Sequence, residues 1–241
     1  MQYLAPANSL ADKIILVTGA GDGIGRTAAM AYAKHGATVV LLGRTTQKLE
    51  KVYDDIIADH GVQPAIYPLN LEGASPKDYA DLATTIETEF GALHGLLHNA
   101  GMFGTASPIR HHDVDLWYKV QQINVNAPFL LTRALLPLLI KTMNARIVFT
   151  VDDKNQAYWG SYGVSKAATI GLMKILADEL NTDMPVLVNA INPGAVRTRM
   201  RARAFPGEDP NTLKLPADIM PTYLFAMSNE LDQTGEIFNA Q

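Results

Sequence analysis

The stretch Ile14–Arg26 limits what this chain can fold into more than any other. An apolar run, Ile14-Ile15-Leu16-Val17, breaks into Thr18-Gly19-Ala20-Gly21-Asp22-Gly23-Ile24-Gly25-Arg26 and then into the helix-like Thr27–His35. This order is that of a buried strand, a glycine turn and a helix. Glycines stand where a Cβ would keep a phosphate from the backbone, and the first N–H groups of the helix are unpaired donors at the positive end of its dipole. A dinucleotide pyrophosphate fits such a loop; a tight strand-to-helix turn is the plainer alternative. The outer glycines follow Gly19-x-x-x-Gly23-x-Gly25 rather than the commonest dinucleotide spacing.

The rest of the chain alternates strands and helices. His35-Gly36 reads as a helix stop with Gly36 in the left-handed cap, and Thr38–Leu42 as a strand. Helix Thr46–Asp59 ends at His60-Gly61, and strand Ala65–Leu69 leads into Asn70-Leu71. Ser75-Pro76-Lys77-Asp78 is a helix start with a hydroxyl cap, a proline in the first turn and an acid three residues on; Phe90-Gly91 stops that helix. Leu93–Leu97 reads as a strand closed by His98-Asn99-Ala100-Gly101. Asp113–Lys141 reads as two helices, the later around Asn126–Ile140, followed by strand Arg146–Val151, helix Tyr158–Leu180 and strand Val186–Ile191. Val196–Lys214, rich in arginine, has no clean period and is expected to be mobile; Ala217–Met227 is a last helix and Glu236–Asn239 a last strand. Such alternation implies βαβ units and a parallel sheet with right-handed crossovers.

Composition excludes several classes. The chain has 241 residues, 48% of them hydrophobic, enough to bury the core of one α/β domain. A formal net charge of −4 gives no basic field, so nucleic acid is not the expected partner. The absence of cysteine excludes disulfide and thiolate chemistry. Met1–Lys13 lacks a signal-peptide core, and the most apolar stretch, Ala134–Ile140, is far short of a membrane span, so a soluble, cytoplasmic protein is expected. His111 and His112 diverge on a helix and no acid or cysteine spacing completes a metal site, so no metal is expected.

Tyr162-Gly163-Val164-Ser165-Lys166 places a phenol and an ammonium four residues apart, on one face of a helix. A nearby cation favours phenolate and would bring the phenol toward the range of acid–base work at neutral pH.

Thr18-Gly19-x-x-x-Gly23-Ile24-Gly25, Asn99-Ala100-Gly101, Asn124, Tyr162-x-x-x-Lys166 and Pro193-Gly194 occur in an order and spacing that resemble the short-chain dehydrogenase/reductase family over nearly the whole chain. The resemblance implies a single-domain, Rossmann-like α/β fold, a doubly wound seven-stranded parallel sheet, with a cofactor at the carboxyl ends of the strands. It implies that Tyr162 exchanges a proton with the substrate oxygen, that Lys166 also holds the nicotinamide ribose, and that Asn124 supports a relay water. Asn126 is a rival for that last role, and a helix-start cap is the plainer reading of Asn124. By the same resemblance the cofactor lies along Gly19, Asp22, Gly23, Ile24 and Gly25, then Asn70 and Leu71, then Asn99, Ala100 and Gly101. Pro193, Gly194, Val196 and Thr198 flank the nicotinamide, with the Thr198 hydroxyl at its amide. A small-molecule alcohol or carbonyl substrate and a homodimer or homotetramer, paired through Asn126–Ile140 and Ile170–Leu180, are implied as well.

Cofactor choice is read after the second strand. An acid there would accept from the adenosine ribose hydroxyls and repel a 2′-phosphate; this chain has Gly43 followed by Arg44, whose guanidinium suits a phosphate. NADP(H) is favoured over NAD(H), with Asp22 weighing the other way. One departure stands out: Asp152 occupies the position where the family places a serine that donates to the substrate oxygen. An ionised Asp152 cannot donate and disfavours a developing alkoxide, which is expected to impair turnover unless Thr150 supplies a hydroxyl or a dry pocket keeps the carboxyl neutral. A cofactor-binding regulatory or scaffold protein is the alternative function that this departure opens.

Overall fold

The computed structural model describes residues 3–60, 63–181 and 186–241. Strands β1 (Ile14–Thr18), β2 (Thr38–Gly43), β3 (Ala65–Pro68), β4 (Gly95–His98), β5 (Arg146–Thr150), β6 (Leu187–Asn192) and β7 (Ile237–Asn239) form one seven-stranded sheet in the order β3-β2-β1-β4-β5-β6-β7. Every neighbouring pair is parallel. The chain winds outward from β1 through β2 to β3, then returns to β4 on the other side of β1. A crevice therefore opens at the carboxyl ends of β1 and β4, where the winding reverses.

The strands read as near-continuous apolar runs because both sheet faces are covered. Ile15 and Val17 enter one core with Ala28, Tyr32, Leu49, Ile56 and Tyr223. These come from α1 (Gly23–Lys34), α2 (Thr46–His60) and α8 (Met220–Met227). Leu16 faces the opposite core with Leu82, Leu131, Leu135, Ile147 and Met173. That layer holds α3 (Pro76–Phe90), α5 (Ala127–Lys141) and α6 (Gly160–Glu179). Gly95 is required in β4 because a Cβ there would lie 2.9 Å from Met227 Sδ.

Several boundaries differ from the sequence expectation. Helix α1 begins at Gly23, not Thr27, because Asp22 caps it with a carboxylate that accepts from Gly23 N–H at 2.9 Å. Helix α6 begins at Gly160 because Tyr158 (φ 74°) and Gly160 (φ 38°) turn the chain first. Gly61, expected to end α2, lies outside the described residues. Helix α4 (Val114–Gln121) runs through a π-helical turn, Gln122–Asn126, into α5, so Val114–Lys141 is a continuous helical run of 28 residues. It is longer than the apolar stretch Ala134–Ile140 suggested, and its Ala127, Leu131, Leu135 and Leu139 are core residues.

The largest difference is Val196–Lys214. Instead of a mobile insertion it holds α7 (Arg199–Ala204), capped by Thr198, whose hydroxyl accepts from Arg201 N–H at 3.1 Å. Arg201 and Glu208 form a two-point ion pair with both N–O distances at 2.6 Å, and Val196 and Lys214 close the segment with a bridge. Arg197 lies before the helix, while Arg199, Arg201 and Arg203 of α7 all line the cleft.

Candidate active site

The crevice at the carboxyl ends of β1 and β4 is a cleft of about 510 Å³, within the range of small-molecule sites. At one end lies the glycine loop. Gly19 adopts φ 68°, and a Cβ on it would lie 3.0 Å from Ala100 Cα. A Cβ on Gly25 would lie 2.5 Å from Asn99 Nδ2 and would overlap the Gly19 carbonyl. Thr18 locks this corner: its hydroxyl donates to Leu97 O at 3.1 Å and accepts from Asn99 N–H at 2.9 Å and Ala100 N–H at 3.0 Å. The loop is thus a backbone-lined cradle that side chains would fill, which suits the pyrophosphate of a dinucleotide.

Gly43, Arg44, Asn70 and Leu71 line the cleft beyond the carboxyl ends of β2 and β3. Asn70 also turns its own loop, its side-chain oxygen accepting from Glu72 N–H at 3.3 Å. Arg44 has no ion-pair partner among the described residues, which leaves its guanidinium open to an anion. Asp22, by contrast, is paired: Lys48 Nζ lies 2.7 Å and Arg199 Nη1 3.6 Å from its Oδ2. The Lys48 hydrogen bond holds the Asp22 carboxyl below the usual carboxylate range. Lys48, four residues after Arg44, is a site residue that the sequence reading missed. Only its contact with Asp22, from a different βα unit, reveals its place.

The reacting end is built on α6 and the end of β5. Tyr162 and Lys166 are both buried, and their side chains converge as their spacing requires. The Tyr162 hydroxyl donates to Asp152 Oδ2 at 3.1 Å; Lys166 Nζ donates to Thr150 O at 2.8 Å and lies 5.7 Å from the Tyr162 ring centroid. Gly163 belongs to the same design, because the Lys154 carbonyl occupies the space a Cβ would take. The electrostatics correct the expectation for this pair. Burial first, then the Asp152 charge and hydrogen bond, push the Tyr162 phenol well above its usual value, opposed only by Arg201. Burial lowers Lys166 to about 8. In this structure Tyr162 is therefore held as phenol rather than drawn toward phenolate.

Asn124 is buried and Asn126 exposed, and the Asn124 side chain is bonded within the protein. Its oxygen accepts from Met102 N–H at 2.7 Å, while its amide donates to Met102 O at 2.9 Å and Ser165 Oγ at 2.9 Å. It ties the loop after β4 to α6, with both amide hydrogens taken up within the protein. Nor does Thr150 offer a hydroxyl to a substrate, since it sits 3.3 Å from Tyr223 OH and 3.5 Å from Asn99 Oδ1. His112 bridges Ser107 Oγ and Ser161 Oγ, each at 2.9 Å.

Ile24, Gly101, Pro193, Gly194, Val196 and Thr198 line the cleft where expected. Gln241, also missed, donates its amide to the carbonyls of Pro193 at 2.6 Å and Ala195 at 3.0 Å and so supports this turn from behind. Phe103, Trp159, Tyr162 and Phe205 form a connected aromatic wall with ring centroids 5.6–5.8 Å apart. Arg201 stacks on Phe205 at 3.7 Å. Among the described residues no group of three His, Cys, Asp or Glu is placed to hold a metal ion.

Comparison with known proteins agrees with this geometry. The sequence model of the short chain dehydrogenase family matches residues 13–209. The chain is 48% identical over 245 residues to the Escherichia coli K12 protein named uncharacterized oxidoreductase YciK, covering 100% of this chain and 96% of that one. Two crystal structures of short chain dehydrogenases are similar throughout. That from Shigella flexneri 2a strain 301, complexed with NADP, superposes with a TM-score of 0.95 at 48% identity, over 98% of this chain and 100% of the other. That from Escherichia coli CFT073, complexed with NADPH, has a TM-score of 0.95 at 49% identity, with the same 98% and 100% coverage.

Proposed function

This chain belongs to the short chain dehydrogenase family, and on that premise we propose that it is an NADP(H)-dependent oxidoreductase acting on an alcohol/carbonyl pair. The observation that carries this reading is the single cleft in which the glycine cradle, the unpaired Arg44 and the buried Tyr162–Lys166 pair meet. The NADP and NADPH complexes of two similar chains support the choice of cofactor.

The glycine loop and the N–H groups opening α1 would hold the pyrophosphate, Arg44 the 2′-phosphate, and Asn99, Lys166 and Thr198 the ribose and nicotinamide groups. When bound, the nicotinamide supplies or takes the hydride. Tyr162 handles the proton. Held as phenol by burial and by Asp152, it is a general acid that can give its proton to a carbonyl oxygen in the reductive direction. Lys166 has donors beyond the one given to Thr150, and an ammonium beside the ring favours the phenolate that this proton transfer leaves. The aromatic wall gives this end an apolar lining.

A homodimer or homotetramer is part of the same reading. Val114 and Tyr118 of α4, Phe129 of α5, and Val164 and Ile175 of α6 are exposed apolar side chains on helices of the same sheet face. A monomeric mass by light scattering at micromolar concentration counts against it. A cytoplasmic location suits a chain without cysteine.

The test is oxidation of NADPH with a panel of aldehydes, ketones and quinones by the protein and its Tyr162→Phe variant. Loss of the general acid lowers turnover by about 10²–10⁴ while NADPH binding persists. Unchanged turnover in Tyr162→Phe removes the assignment; NADPH binding with no turnover of any carbonyl favours the regulatory alternative.

A further inference from the structure

The polar groups around the reacting end are unequally distributed. The Thr150 hydroxyl is engaged with Tyr223 and Asn99, Ser165 donates to Tyr162 O at 2.7 Å, and Ser161 is joined to His112. None of these supplies a second hydrogen-bond donor beside the Tyr162 hydroxyl. What stands there instead is an acceptor. Asp152 Oδ2 accepts from the Tyr162 hydroxyl at 3.1 Å, and its Oδ1 accepts from Asp153 N–H at 2.9 Å and lies 3.9 Å from Lys154 Nζ.

This arrangement sets a requirement on the substrate. Tyr162 has one hydroxyl proton, so when it turns to a substrate carbonyl it must leave Asp152 Oδ2. One oxygen of a carboxylate whose side chain is only 25% exposed then lacks its donor, and leaving a partly buried charged group unpaired is costly. A substrate that brings its own donor restores the bond. The oxygens of a carbonyl and of a hydroxyl on the adjacent carbon can lie on one side, about a hydrogen-bond length apart, which matches the Tyr162–Asp152 spacing of 3.1 Å. Lys154 and Arg201 already face this carboxylate, so a neutral hydroxyl fits better than a second cation. Phe103, Trp159 and Phe205 offer an apolar face to the rest of such a molecule.

We propose that Asp152 is a specificity-determining residue that selects carbonyl compounds bearing a hydroxyl on the adjacent carbon, and the corresponding vicinal diols, over simple ketones. The inference rests on the oxidoreductase reading for the place of the substrate, but it reinterprets Asp152: the residue reads the substrate rather than impairing the enzyme. Simple ketones, whose carbonyl oxygen is a second acceptor beside the carboxylate, are rejected by the same geometry.

The experiment compares 2-hydroxyacetophenone with acetophenone as ligands of the protein saturated with NADP+, where the ketone cannot be reduced; binding is read by calorimetry, with NADPH absorbance monitored to exclude oxidation of the hydroxyl. The hydroxyketone is expected to bind roughly 10–100-fold more tightly, the scale of one hydrogen bond to a charged group. In Asp152→Ser, which replaces the acceptor by a hydroxyl that can donate, the preference shrinks to within about threefold and acetophenone binds more tightly than before. Equal affinities in the unsubstituted protein, a preference that survives Asp152→Ser, or failure of both ketones to bind overturns the proposal. Because the readout is binding, failure to reduce the hydroxyketone in a separate NADPH assay counts against the oxidoreductase reading and not against this one.

Discussion

Lys48 Nζ lies 2.7 Å from Asp22 Oδ2, an ion pair that joins the start of α2 to the N-cap of α1 across the mouth of the cleft. The pair screens the acid that would otherwise face an incoming phosphate and leaves Arg44 unopposed. Arg44→Ala should weaken NADPH binding by about 1.5–3 kcal/mol and leave NADH nearly unchanged. Lys48→Ala should cost NADPH about 0.5–1 kcal/mol, and removing Asp22 as well should restore that loss. Fluorescence titration of both cofactors decides it; equal losses for NADPH and NADH exclude a 2′-phosphate contact.

Gly25→Ala tests the cradle. Its Cβ would overlap the Gly19 carbonyl and lie 2.5 Å from Asn99 Nδ2, both parts of the locked corner at Thr18, so the loop must shift. A loss of about 1–3 kcal/mol in stability is expected, with NADPH affinity falling at least as far. Gly171→Ala is the control, because a Cβ there meets nothing within 4 Å. An unchanged urea midpoint for Gly25→Ala contradicts the packing described.

Asn124→Ala separates a strut from a proton relay. Deletion leaves the Met102 N–H and carbonyl and Ser165 Oγ without their partner in a buried setting. Unfolding should occur about 2–4 kcal/mol more easily. A variant of native stability that has lost turnover alone would restore the relay role.

Stability should depend on alkaline pH in two opposed steps. Burial lowers Lys13 and Lys166 to about 8, against roughly 10.4 in an unfolded chain. Between those values the unfolded chain binds protons that the folded one has released, so stability rises with pH through the window, and the penalty of burying two cations is full below it. Tyr32, Tyr79, Tyr162 and Tyr223 are raised by burial, so above about 10 the unfolded chain loses protons first and stability falls. Urea midpoints should climb from about pH 8 to about 10 and then drop. Lys13→Met should reduce the climb; a flat or falling midpoint in that range is incompatible with these burials.

Much of this protein follows from local pattern. Apolar runs of strand length, glycine and proline stops and amphipathic helices act within a few residues, so the order of elements and the parallel sheet were legible, as were the cradle at Gly19–Gly25 and the four-residue spacing of Tyr162 and Lys166. Helix α7 was not, because it depends on the Thr198 cap, the Arg201–Glu208 pair and the Val196–Lys214 bridge acting together. The same holds for the charges. Lys166 was expected to lower Tyr162, but burial and Asp152, brought beside the phenol by the path from β5 into α6, raise it. Asn124 and Thr150 carry the right groups for chemistry, yet their side-chain hydrogens are directed to Met102, Ser165, Asn99 and Tyr223 within the protein. The sequence by itself determined the succession of strands and helices and the residues able to form a cradle, because backbone geometry and hydrophobic periodicity are short-range. Which polar groups remain free to act was decided by the tertiary structure, because a side chain's proton and its partners depend on residues that only folding brings within a few ångströms.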